Sequence, residues 1–273
     1  NNEDQEIFYE DELQCRWGLH YTRNRQYGLA VSNLIAKTVM HQNCPDIPYW
    51  NSSPYGGEKP TSEEIGDVHH WGAAMMNPDM KKRIDPFVYD QLGAKFVSEY
   101  GYIGPCSLET IRDYFDGRPI DRDSEIWKLH NNNFEKDTVL AGIRKHYPLD
   151  TAVLSLEDYI LYAGAVHELI LGYSLEAIRF KEQCHGALFW MYNDTWGEVG
   201  WTIVDYYLRR KTGFYGVKRA FAPLKLSMRA ADGKLLVQAC NDTPEEVSVR
   251  AQLGYLSFDG KEARLEPLEI QVP

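Results

Sequence analysis

Lys95-Phe96-Val97-Ser98-Glu99-Tyr100-Gly101 carries two features that organise the whole chain. Phe96 and Val97 open a short strand that Gly101 stops, and a carboxylate, Glu99, stands at its C-terminal end. Upstream, Gly66-Asp67-Val68-His69-His70-Trp71 has the same short-strand character. Before it, Cys44-Pro45-Asp46-Ile47-Pro48-Tyr49-Trp50 reads as a turn entering another strand, followed by a polar Gly/Pro loop over 51–60. Downstream, Ala187-Leu188-Phe189-Trp190-Met191-Tyr192 is a near-continuous apolar run, which suits a strand covered on both faces. Helical signals lie between and before these strands. Tyr27, Val31, Leu34 and Thr38 fall at helical spacing, which predicts a helix from Tyr27 to about His41. Ser107 looks like an N-cap, with Leu108, Ile111 and Phe115 on one face. Ser155-Leu156-Glu157-Asp158 resembles a capping box with Asp in the last place. It opens a long helix whose stripe is Tyr159, Ala163, Val166, Ile170, Tyr173 and Ala177. Residues 116–150 are charged and read as a loop-rich surface excursion. Strand alternating with helix predicts an α/β fold with parallel strands and crossover helices.

The pattern changes at Pro223. Leu224, Leu226 and Met228 alternate with polar residues, Asp232-Gly233 is a turn signal, and alternation returns over Val247, Val249, Ala251, Leu253 and Tyr255. This predicts antiparallel β structure with one dry face. The remaining length is about half that of an immunoglobulin-like sandwich, so the expectation is a partial sandwich.

The 273 residues contain 29 Lys plus Arg against 40 Asp plus Glu, a formal charge of −11. That balance argues against a nucleic-acid or anionic-membrane surface, which needs clustered cations. The apolar fraction of 44% and aromatic fraction of 13% exclude a disordered chain. No run is as apolar as a membrane-spanning helix requires. The five cysteines have neither zinc-knuckle nor redox spacing, and read as reduced, mostly buried thiols. His69-His70 would point to opposite faces of a strand, and His167-Glu168 lacks the second histidine of a zinc-protease helix; no metal site is expected. Asn51, Asn193 and Asn241 each begin a glycosylation sequon. The first two fall in segments assigned to the site, where a glycan would block access, and all three are read as accidental.

Two kinds of residue point to chemistry. Glutamates at strand C-terminal ends occupy the position where parallel-stranded enzymes place catalytic groups, and Glu99 is one. Tryptophans at or near strand ends beside polar groups (Trp50, Trp71, Trp190, Trp196, Trp201) suit the apolar faces and hydroxyl rims of sugars.

Taken in order, these motifs resemble glycoside hydrolase family two, in its β-mannosidase branch. Asn1-Asn2-Glu3 is similar to the Asn-Glu signature carrying that family's acid/base. Tyr49-Trp50-Asn51-Ser52-Ser53-Pro54, Gly66 to Trp71, and Phe96 to Gly101 are similar to successive strands of its barrel. Gly186 to Asn193-Asp194-x-Trp196 resembles the last strand. Trp201 to Tyr206 and Lys218-Arg219-Ala220-Phe221-x-Pro223 follow in the same order. Met191 stands where the family usually has Gln, and His70 where an aromatic residue is common.

The resemblance implies the C-terminal half of a (β/α)8 TIM barrel over residues 1–222, then an incomplete immunoglobulin-like β-sandwich segment over 223–273. It implies a retaining exo-glycosidase acting on terminal β-mannosides, without cofactor or metal. Glu99 would be the nucleophile and Glu3 the acid/base, with Asn2 on the sugar 2-hydroxyl. Trp190 and Trp71 would form the sugar platform, with Trp50, Asn51, His70, Asn193, Asp194 and Trp196 around it. The partner would be a β-linked mannose-containing oligosaccharide or glycoside. A related enzyme of β-glucosaminidase, β-galactosidase or β-glucuronidase type, and a catalytically silent glycan-binding protein, are the alternatives. The start at Asn1 implies a piece of a larger enzyme. It is expected to be inactive alone and to be completed by an N-terminal segment or by a second copy in a homodimer.

Overall fold

The computed structural model describes residues 31–50, 52–56, 62–132, 135–231 and 233–273. The chain divides into two compact units between Gly216 and Val217.

In the first unit, a π-helical segment Val31–Ala36 continues into α1 (Lys37–Asn43). The helix ends where Cys44-Pro45 cannot extend it. Two short parallel strands follow, β1 (Val68–His69) and β2 (Val97–Glu99). Between them lie α2 (Met80–Arg83) and a 3₁₀ turn, Pro86–Gln91. Asp79 and Asp85 cap these two elements, each accepting a backbone N–H two residues on. Gly186 to Trp190 runs on the other side of β2, also parallel. Val97 N–H donates to Gly186 O (2.9 Å), Leu188 N–H to Val97 O (2.8 Å) and Trp190 N–H to Tyr100 O (2.6 Å).

The expected strand over 187–192 therefore does not form as a regular ladder. Two residues of that segment span three of β2, so only the Val97–Ala187 pair is a regular bridge. Nor is the run covered on both faces, since Leu188, Trp190 and Tyr192 are all exposed. The β1–β2 register also slips by one residue, with Val68 opposite Val97 and His69 opposite Glu99. Such bulges re-aim side chains, and both interrupt β2 at the approach to Glu99.

The N-cap at Ser107 is as expected: its hydroxyl accepts Thr110 N–H at 3.2 Å and opens α3 (Leu108–Phe115), with Ile111 and Phe115 buried. Residues 116–150 differ from the expected surface loop. They contain α4 (Glu125–Leu129) and α5 (Glu135–His146). Trp127, Val139 and Ile143 are fully buried, and α5 packs on α6 (Leu156–Arg179). The charged residues dominate the composition, while a few apolar ones at helical spacing do the burying. Ser155 caps α6 by accepting Asp158 N–H at 3.0 Å. The α6 stripe is broader than predicted and includes Leu171, Leu175 and Ile178, because the helix also packs against the 3₁₀ turn. There Tyr173 lies edge-on to Phe87 and donates its hydroxyl to Asp90. The last helix, α7 (Thr212–Ala220), carries the division between the units.

The second unit holds two antiparallel hairpins. β3 (Leu224–Ala231) pairs with β4 (Lys234–Asn241), and β5 (Val247–Leu256) with β6 (Ala263–Val272). Gly233, at a φ of +69°, supplies the left-handed residue of the first turn. Alternation is present in β5, where Val247, Val249, Ala251 and Leu253 are the more covered residues. In β3 the expectation of a dry apolar face is not met. Leu224 and Met228 are exposed, and Ser227 is the buried residue.

Among the described residues Cys44, Cys106 and Cys184 are free thiols, and of the described cysteines only Cys106 is buried. No helix among them is long and apolar enough to cross a membrane, and no group of side chains there has the makings of a metal site.

Candidate active site

Glu99 closes β2 with a side chain only 11% exposed. Each carboxylate oxygen has a close side-chain neighbour. Trp71 donates its indole N–H to Oε1 at 3.0 Å. The His69 ring lies on the other side, with Nδ1 at 3.6 Å from Oε2. His69 Nε2 lies 3.3 Å from the Ser53 hydroxyl, which in turn donates to Asp67 Oδ2 at 2.7 Å. Ser98 also donates to that Asp67 oxygen, and Tyr55 N–H donates to the other at 3.1 Å. Three segments of chain, around Ser53, His69 and Glu99, thus meet in one linked polar group.

The surrounding aromatic frame is tight. Trp71 meets Trp201 edge-to-face, with ring centroids 5.0 Å apart. Gly101 passes between Trp71 and Trp190. A Cβ added there would lie 2.4 Å from Trp190 O and 3.1 Å from Trp71 Cη2, so the backbone can approach only as glycine. The Trp190 side chain is 41% exposed. The group offers a carboxylate beside an aromatic surface, which suits attack on, or recognition of, a sugar ring.

A second polar group lies under the segment from Asn193 to Lys211. Lys211 is fully buried, and its ammonium donates to Gly104 O (3.3 Å) and Glu198 O (3.1 Å). It lies 3.6 Å from Asp194 Oδ2. Burial raises the Asp194 pKa, opposed by Lys211. Glu198 is pushed up to about 7, first by burial and then by the Asp194 charge. Nearby, His167 on α6 is buried against Gly104 and Gly213, where no larger residue would fit. Burial, then the Lys211 charge, lowers its pKa to about 3, so its ring is neutral at physiological pH.

Among the candidate residues, Glu99, Trp71 and Trp190 converge. His70 gives its backbone N–H to Glu99 O at 2.7 Å. Its ring turns away, 5.3 Å from the Tyr89 ring and with Nδ1 3.6 Å from Glu63 Oε1. The imidazole beside Glu99 is instead His69. The signal was present: Asp67, His69 and Trp71 alternate, and all three belong to the Glu99 group. Asp194 faces inward to Lys211, whereas Asn193 beside it is exposed. Trp196 is 53% exposed and ends a three-ring stack, its ring 4.3 Å from His130, which is 4.0 Å from Tyr114. Trp50 is exposed and packs on Tyr55 at 4.8 Å. Asn2, Glu3 and Asn51 lie outside the described residues.

Known proteins resemble this chain. No family model matches the chain. β-Mannosidase B of Aspergillus terreus is 31% identical over 251 residues, 84% of this chain and 29% of that protein. β-Mannosidase B of Aspergillus clavatus is 29% identical over 200 residues, 71% of this chain and 23% of that protein. The crystal structure of a β-D-mannosidase from Dictyoglomus thermophilum superposes with a TM-score of 0.76 at 30% identity, covering 89% of this chain and 29% of that one. The chain is an α/β segment similar to a glycoside hydrolase. In sequence and in fold it resembles β-mannosidases, consistent with glycoside hydrolase family two. It spans roughly a quarter of the length of the curated relatives it matches.

Proposed function

We propose that this chain belongs to a retaining exo-glycosidase that releases terminal β-linked mannose. The single observation that carries this reading is the setting of Glu99: a buried carboxylate at the C-terminal end of a parallel strand, held by the Trp71 indole beside exposed Trp190. In this reading residues 1–222 are the second half of a (β/α)8 barrel and 223–273 begin a β-sandwich. An N-terminal segment of the same enzyme, or a second copy, completes the barrel. Residues 1–273 alone are then inactive.

Glu99 attacks the anomeric carbon and forms an ester. Glu3, protonated, gives its proton to the leaving oxygen and later takes one from the water that frees the sugar. Retaining chemistry needs the two carboxyls about 5–5.5 Å apart. The charge on Glu99 keeps Glu3 protonated until the ester forms, when the charge vanishes and Glu3 can act as base. Asn2 bonds the 2-hydroxyl, most strongly in the transition state. The partner is a β-mannoside or mannose-containing oligosaccharide, bound against Trp71 and Trp190, with Trp50, Asn51, Asn193 and Trp196 around it; His70 and Asp194, turned to Glu63 and Lys211, are left out of that ring.

The test uses the full-length protein and 4-nitrophenyl glycosides. Turnover of the β-mannoside above the β-galactoside, β-glucosaminide and β-glucuronide, with the β-anomer as first product, is expected. Loss of turnover in both Glu99→Gln and Glu3→Gln would assign the pair. Binding without turnover by the wild type would make the protein a glycan-binding relative instead.

A further inference from the structure

We infer that His69 is a positioning residue for Glu99, and that Ser53, Asp67 and Ser98 form a relay that fixes its ring. This rests on the reading of Glu99 as nucleophile. A carboxylate that must attack along one line gains from being held at both oxygens, because misdirection forfeits the advantage of proximity. Trp71 holds Oε1 at 3.0 Å. On the other side, His69 Nδ1 stands 3.6 Å from Oε2. That is ion-pair range, and a contact of this kind tightens when substrate fills the site.

The wiring behind His69 says which ring nitrogen carries hydrogen toward Glu99. Asp67 Oδ2 accepts from both Ser53 and Ser98, and the Ser53 hydroxyl also reaches His69 Nε2, at 3.3 Å. If Ser53 donates to Asp67, its oxygen accepts from Nε2–H. A neutral ring in that arrangement leaves Nδ1 without a hydrogen. If Ser53 donates to Nε2 instead, the neutral ring carries its hydrogen on Nδ1. A bare Nδ1 would set a lone pair against the carboxylate, so the arrangement that serves Glu99 is the one with Nδ1–H, Ser98 still donating to Asp67. The bulge that offsets β1 against β2 aligns His69 with Glu99 rather than with Ser98. Ser98 is thereby free to serve the relay.

Two substitutions separate the two ends of the ring. The amide nitrogen of Asn occupies the place of Nδ1, whereas that of Gln reaches toward Nε2. In the full-length protein, His69→Gln should lower kcat on 4-nitrophenyl β-mannoside on the order of 10²-fold, with KM changed by no more than about threefold. His69→Asn should stay within about tenfold of wild type. Both should melt at the same temperature. Ser53→Ala and Asp67→Asn should each lower kcat about tenfold by loosening the ring.

Equal damage from Asn and Gln, no effect from either, or a loss confined to KM would overturn the assignment. If neither His69 variant folds, Ser53→Ala decides, and an unchanged kcat would overturn it. Glu99→Gln is the control. If it abolishes turnover, the nucleophile reading stands and His69 is judged by its own variants. If it leaves turnover intact, the reading of Glu99 itself fails, an outcome distinct from any His69 result.

Discussion

Glu99 and Asp194 are both buried acids of the first unit, yet their surroundings differ in kind. Glu99 meets the Trp71 indole N–H and the ionisable His69 ring, and keeps its side chain 11% exposed beside half-open Trp190. Asp194 meets the ammonium of Lys211, whose side chain is wholly buried and which also contacts backbone carbonyls. A carboxylate that must react is aimed by donors and left reachable. One that holds a fold together is neutralised and closed off. Burial of the acid alone does not tell these roles apart; the partner and the access do.

The largest expected effect follows directly. Glu99→Gln in the full-length enzyme should lower kcat by on the order of 10⁴ or more. Asp194→Asn should leave the surviving folded fraction far more active than that. Equal losses in kcat per folded molecule would erase the distinction between the two acids.

Next comes Lys211→Met. It leaves Asp194 buried without its cation, which should cost about 3–5 kcal/mol by chemical denaturation. The double variant Lys211→Met/Asp194→Asn should recover part of that loss, because it removes both charges. A single variant as stable as wild type would show that the pair is not what closes this region.

A smaller effect concerns pH. Glu198 is raised from about 4.5 to about 7 in the folded state. Between those values the folded protein keeps a proton that the unfolded chain has lost. Stability from this group therefore falls as pH rises through that window and is level above it. Glu198→Gln should flatten that fall in a series of melting temperatures from pH 4.5 to 7.5. An unchanged slope would count against the burial of this carboxyl.

The smallest effect is chemical. Burial pushes the Cys106 thiol up to about 11, and its Sγ–H donates to Glu198 O at 2.9 Å. Cys106 should resist alkylation at pH 8 in the native protein while the partly exposed Cys44 reacts. Mass mapping after iodoacetamide treatment would check the ranking.

Much of this was legible along the chain. The caps at Ser107 and Ser155 are local chemistry, a hydroxyl three residues from the N–H it accepts, and they appear where the sequence puts them. Glu99 at a strand end needed only a few neighbouring residues. The long apolar stripe of α6 was readable from period alone, though not its extra residues, which packing on the 3₁₀ turn adds. The helices within 116–150 were hidden because charge dominates the composition there, while burial rests on Trp127, Val139 and Ile143. The run over 187–192 looked like a doubly covered strand because hydrophobicity says nothing of whether a neighbour lies on each side. His69 was passed over for His70, although alternation with Asp67 and Trp71 pointed to it.

Sequence alone settled what depends on neighbours a few bonds away: where helices are capped, where glycine and proline end an element, and which strand ends carry a carboxylate or an indole. Tertiary structure settled what depends on residues far apart in the chain. The bulges flanking β2 bring His69 level with Glu99. Lys211 reaches the carbonyl of Gly104. Gly101 lets Trp71 and Trp190 close on the same backbone. The physical reason is that propensity and period are summed along the polypeptide, whereas burial and hydrogen bonding are settled in space, where a one-residue slip in register changes which side chains meet.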